Sequence, residues 1–119
     1  MFNSTDECFN ALSKSKFRSS FHLKTRDILH AKNLGIDKIS SHIDHFIDTR
    51  LNNNEGIIDG KQTPYKGHPV FIAQHASATC CRGCIKKWHG IDENRELTLK
   101  EKEYIKTIIL SWIKRELYS

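Results

Sequence analysis

The most regular apolar spacing lies near the end of the chain. Ile105, Ile108, Ile109, Trp112, Ile113 and Leu117 recur three or four residues apart among charged positions. That is the period of a helix with one buried face. Thr98-Leu99-Lys100-Glu101 precedes the stripe, with a hydroxyl at the cap and a carboxylate three residues on, the pattern of a capping box. A second stripe, Ile36, Ile39, Ile43, Phe46, Ile47 and Leu51, has the same period. It predicts a helix from Asp37 to about Leu51. Another helix is predicted over Thr25 to Leu34, with Gly35 as the left-handed residue between them. Together they read as an αα-hairpin.

The first helix is predicted to start near Thr5, where Ser4-Thr5-Asp6-Glu7 forms another capping box. Cys8, Phe9 and Leu12 share one side of it, so Cys8 reads as a small core residue. Lys14, Lys16, Phe17, Arg18 and Phe21 lie in a basic connector. The expectation there is a loop that pins two rings and leaves its charges in water, with a phosphate-contacting segment as the alternative. Asn52 to Gly67 is a long loop, a feature that often serves function. Lys61, Gln62, Thr63 and Tyr65 give it polar groups for a ligand. His68 to Gly90 reads as one interrupted helix or two short ones. Pro69 suits the first turn, Thr79 is placed to cap a helix beginning at Cys80, and Gly90 to end it.

No strand-like alternation of comparable strength appears. The fold class is therefore mainly α: a compact single domain over residues 1–119. It combines an αα-hairpin, a long central loop and a Cys/His-rich helix packed on a C-terminal amphipathic helix. A chain of 119 residues, 38% hydrophobic, is long enough for one core. No apolar run approaches the roughly 20 residues of a bilayer span, and Met1 to Lys16 has no long apolar region, so no membrane association and a cytoplasmic location are expected. In that compartment cysteines serve as thiols or metal ligands more often than in disulfides. The formal charge of +5 permits a nucleic-acid partner without requiring one. Ala31, Leu34 and Gly35 partly match a helix-turn-helix, but Ser41 stands where such motifs bury an aliphatic residue; an ordinary helical hairpin explains the same pattern.

The run from His68 to His89 holds three of the four cysteines and three of the seven histidines. Thiolate and imidazole are the donors that a soft divalent metal prefers. Cys80 and Cys84 are four apart, and Cys81 and Cys84 three apart, so either pair can share a helix face. His75, His89 and His68 compete for the remaining positions, with a break near Ser77 to Thr79 able to bring His75 in. The metal is read as zinc, with iron not excluded. The spacing lacks the pair-loop-pair form of zinc fingers. Two other readings stand beside this one. Cys81-Arg82-Gly83-Cys84 is a C-x-x-C near a helix N-terminus, where the helix dipole and Arg82 would stabilise a thiolate and His75 or His68 would serve as base, as in a thiol enzyme or redox sensor. Alternatively Cys81, Cys84, Ile85 and Trp88 are a plain apolar stripe of a metal-free adaptor. His42 and His45, with Asp48, read as a solvated helix face before they read as a metal half-site. His22 and His30 carry no assignment.

Five segments are similar to the signature of a bacterial family catalogued as domain of unknown function 4186. They are Gly60-Lys61-Gln62-Thr63-Pro64, the run from His68 to His75, Thr79-Cys80-Cys81-Arg82-Gly83-Cys84, Lys87-Trp88-His89-Gly90-Ile91 and the closing Trp112 to Leu117. Phe17-Arg18-Ser19 joins them, so the likeness spans nearly the whole chain. The resemblance implies a small stand-alone bacterial or phage-encoded protein. It implies no activity, so whether the chain is an enzyme stays open at this stage, and the site residues rest on their chemistry.

Overall fold

The computed structural model describes residues 1–52 and 60–118. Among them are seven α-helices and no strand. The stretch that includes Asn53, Asn54 and Gly56, part of the expected long loop, lies outside the described residues.

The long helix α7 (Leu99–Tyr118) forms the spine. Its start is the capping box read from the sequence: Glu101 N–H donates to Thr98 Oγ1 at 3.1 Å, and Thr98 N–H to Glu101 Oε1 at 2.9 Å. The reciprocal bonds satisfy two amides that the first turn leaves without partners. Ile105, Ile108, Ile109 and Ile113 are buried along one face. Against that face packs α4 (Ile36–Phe46), which continues as a π-helical turn over Ile47–Asn52. The predicted stripe Ile39, Ile43, Ile47, Leu51 is fully buried there. The wider turn follows from the order of the apolar residues: it keeps both Ile47 and Leu51 on the inner side as the helix ends.

Helix α3 (Thr25–Leu34) meets α4 through Gly35, completing the hairpin. Gly35 has φ 80° and ψ 159°, outside the ordinary left-handed well and open essentially only to glycine, so α4 restarts at once with Ile36 instead of Asp37. Helix α1 (Thr5–Ser13) lies against α7, with Cys8 and Leu12 packed on Ile108 and Ala78. A four-residue helix, α2 (Lys16–Ser19), occupies the middle of the segment expected to be loop.

Helix α5 (Pro69–Ala76) is short and apolar on nearly every side, and all eight residues are buried. It runs through the middle of the molecule, touching α2, α3, α4 and α7. After a five-residue turn, Ser77 to Cys81, the chain resumes as α6 (Arg82–His89), which Gly90 closes in the left-handed conformation. The run His68 to Gly90 is thus two short helices. No helix among the described residues is long and apolar enough to cross a membrane.

Candidate metal centre

The α5–α6 turn places the sulfurs. Ala78 adopts φ 58° while fully buried, a backbone state that costs a residue with a Cβ about 1 kcal/mol or more. Three bonds hold the turn: Gln74 Nε2 donates to the Thr79 carbonyl at 3.1 Å, Thr79 N–H to the Gln74 carbonyl at 2.8 Å, and the Ser77 and Thr79 hydroxyls pair at 2.9 Å. Thr63 reaches in from the preceding loop and donates from Oγ1 to the Cys80 carbonyl at 2.6 Å. Thr79 is therefore part of the turn and does not cap α6, as its position in the sequence suggests. The N-cap is Cys81, whose backbone is extended and whose Sγ accepts from Cys84 N–H at 3.3 Å. Cys80 stands one residue before the cap, outside the helix.

The result is convergence. The Sγ atoms of Cys80, Cys81 and Cys84 all lie within 4.8 Å of one another. Cys80 and Cys81 are buried and Cys84 is half-buried, so the cluster opens outward on one side. Cys8 belongs to the α1 packing cluster, against which Cys84 also packs, and burial pushes its thiol up to about 11.

A cation that the sequence did not indicate closes the site. Ser15 caps α2 by accepting from Arg18 N–H at 3.1 Å. The Arg18 side chain turns inward and is only 8% exposed. Its Nη2 donates to Cys84 Sγ at 3.1 Å, and its Nη1 lies 3.6 Å from Cys80 Sγ while donating to the His75 carbonyl at 2.8 Å. Burial works against the guanidinium charge, but the bonds to Cys80 and Cys84 outweigh it and hold the proton more firmly. Arg18 is thus not one of the water-facing charges expected of the connector. Arg82, the expected thiolate partner, turns the other way and donates to the carbonyls of Leu51 and Asp92. No spacing rule links residue 18 to residues 80 and 84. Its traces in the sequence are the likeness of Phe17-Arg18-Ser19 to the family signature and the nearby Phe21; of the two rings expected to be pinned only Phe21 is half-buried, while Phe17 is exposed.

The three thiols share their charge unevenly. Bonds from Cys80 and Cys81, joined by that from Arg18, hold the Cys84 thiol well below the ordinary range against the opposing effect of burial. Cys80 is pushed far up by donating to Cys81 and Cys84 and by burial. Cys81 accepts from Cys80, which lowers it, but its bond to Cys84 and its burial leave it raised. One negative charge, centred on Cys84 beside Arg18, is the state that this geometry favours.

The three candidate histidines are built into other contacts. His75 faces the carbonyls of Thr63 and Pro64 with Nε2, each at 3.1 Å, so this nitrogen donates. Its ring stacks on Tyr65 with centroids 4.0 Å apart. His89 donates from Nε2 to the Ser77 carbonyl at 2.9 Å and accepts the Tyr104 hydroxyl proton at Nδ1, 2.7 Å away. His68 caps α5: its Nδ1 accepts from Val70 N–H at 3.0 Å, and its Nε2 faces His42 Nδ1 at 2.8 Å. Burial lowers the pKa of all three, that of His68 to about 4. Among the described residues none of these imidazoles joins the sulfurs in one donor set. His42, read as a solvated position, is instead half-buried against His68.

These features define a class: an all-α protein whose helix-capping cysteine and its two neighbours form a compact sulfur cluster under a buried arginine. The family described as "Domain of unknown function (DUF4186)" matches residues 6–114, and the chain belongs to it. No solved structure matches the chain.

Proposed function

We propose that Cys80, Cys81 and Cys84 hold one soft divalent metal ion, zinc by donor chemistry, and that the domain is a metal-binding helical protein with a polyanion-facing surface. The carrying observation is the convergence of three sulfurs within 4.8 Å. Zinc–sulfur bonds of about 2.3 Å put tetrahedrally arranged sulfurs roughly 3.8 Å apart, so the cluster needs only a modest contraction. Loss of the remaining thiol protons would leave a buried concentration of negative charge. Arg18 offsets part of it from outside the donor set, as partners of metal ligands commonly do. Three protein donors leave a fourth position for water or another ligand. The net charge of +5 makes a polyanion the partner class that the surface suits.

Elemental analysis of protein purified without a metal-affinity tag tests the metal reading. Near one equivalent of zinc is expected, and near one of iron would change the metal but not the site. Less than a tenth of an equivalent of either, with no sulfur-to-cobalt absorption after cobalt is added to the chelator-treated protein, would falsify it.

A second reading is a reactive thiol at Cys84, favoured by the Arg18–Cys84 bond. It predicts that metal-free protein as isolated is alkylated at Cys84 alone, at neutral pH. A bound metal would instead protect all three cysteines together.

A further inference from the structure

Beside the sulfur cluster runs a ladder of rings. Tyr65 stacks on buried His75 at 4.0 Å with an interplanar angle of 7°, Phe21 stacks on His75 at 5.7 Å, and Phe17 meets Phe21 edge-on at 5.2 Å. The inner rings are fixed by packing, yet Tyr65 is 63% exposed. A flat ring that is held from behind and open in front has already lost the side-chain freedom that a stacking ligand would otherwise have to freeze.

The same ring borders a trough between the start of α3 and the loop before α5. One cleft of about 300 Å³ is lined by Lys24, Arg26, Tyr65 and Lys66 among others. A second, of about 340 Å³, shares Arg26, Asp27 and Lys66 with it, so the two run together. The cations here differ from five others on the molecule. Lys86, Arg95, Lys102, Lys106 and Arg115 each pair with a carboxylate. Lys24, Arg26 and Lys66 are exposed and have no ion-pair partner among the described residues. The one carboxylate lining the trough, Asp27, is buried and accepts the Lys24 N–H at 3.0 Å.

The geometry points to a single-stranded nucleic-acid site in this trough, with a base on the open face of Tyr65 and backbone phosphates against Lys24, Arg26 and Lys66. Unpaired cations supply attraction to phosphate without sequence preference. An exposed ring takes any unstacked base, which a duplex does not offer. The site rests on the polyanion reading above and gives it a location and a strand state. DNA and RNA share this chemistry, and the assay separates them.

The test is fluorescence anisotropy of the full chain with labelled twelve-residue oligothymidylate and oligouridylate at low and moderate salt. Tyr65→Ala is expected to weaken binding by about five- to a hundredfold, while Tyr65→Phe keeps it, which separates stacking from misfolding. Replacing Lys24, Arg26 and Lys66 by Gln is expected to reduce the logarithmic salt slope by about two. The double variant Lys86→Gln/Lys106→Gln, on ion-paired positions, serves as control. Equal loss in the control, unchanged binding in Tyr65→Ala, or equal affinity for a duplex of the same length overturns the trough while leaving a diffuse polyanion contact. No binding by the unaltered chain at low salt removes the polyanion reading itself.

Discussion

Arg18 Nη2 donates to Cys84 Sγ at 3.1 Å, joining a helix of four residues to a sulfur sixty-six positions further on. The same guanidinium holds the His75 carbonyl, so it ties the connector, α5 and α6 into one unit. The bond explains why a buried arginine is tolerated: its charge faces the most acidic thiol of the cluster, where burying it alone would be costly.

Arg18 should govern the acid limb of Cys84 reactivity. In metal-free protein Cys84 is expected to remain a thiolate well into the acid range, because Cys80, Cys81 and Arg18 all stabilise the anion. Arg18→Met removes one of these donors, so the pH at which alkylation falls to half must move upward. Mass-spectrometric alkylation rates across pH would show it; an unmoved midpoint would mean that the guanidinium does not tune the thiol. Cys8, raised to about 11, should stay unreactive in both proteins.

Arg82 should separate from Arg18 in the same assay. It is fully buried, with two carbonyl acceptors and one nitrogen, Nε, without a partner. Arg82→Met leaves the Leu51 and Asp92 carbonyls short of a donor, a loss of about 2–4 kcal/mol in urea unfolding. The Cys84 alkylation profile should be unchanged. A shifted profile would return Arg82 to the role that its sequence position suggests.

Cys81 has two separable duties, capping α6 and offering a sulfur. Serine is a strong N-cap, so Cys81→Ser should change the stability of the metal-free protein by less than about 1 kcal/mol. Cobalt affinity should fall by at least about a hundredfold, the upper end of what losing an outer partner of a metal ligand does. Cys8→Ser should leave cobalt affinity intact. Both are read by denaturant titration and by sulfur-to-cobalt absorption.

His68 should make the fold acid-sensitive. Burial, then His42 and His30, lower its pKa from 6.5 to about 4. Between those values the unfolded chain binds the proton and the folded chain does not, so stability falls as pH falls. The contribution is whole above pH 6.5 and gone by about pH 4, on the order of 3 kcal/mol. His75 and His89 shift in the same direction. Asparagine also caps helices, so His68→Asn should keep the cap and flatten the slope of unfolding free energy between pH 6.5 and 4. An equally steep slope would place the sensitivity elsewhere.

All the helices but the four-residue α2 were legible because their signals are local. The serine cap at Ser4, the capping box at Thr98, the stripe from Ile39 to Leu51 and the stop at Gly90 each need only neighbouring residues to act. The three sulfurs were legible as a cluster for the same reason, since five consecutive positions contain all of them. Their exact arrangement was less so: Ala78 in a left-handed turn shifted the cap from Thr79 to Cys81 and left Cys80 outside the helix.

What the sequence alone determined was therefore the longer helices and the sulfur-rich turn, both products of interactions within a few residues; the four-residue α2 was read as loop. What only the tertiary structure decided was the company those sulfurs keep. The path of the chain around α5 brought Arg18 across sixty-two and sixty-six positions to Cys80 and Cys84. It also sent His68, His75 and His89 to partners of their own. A buried charge or imidazole takes whichever partner the packed chain presents, and spacing along the sequence carries no record of that choice.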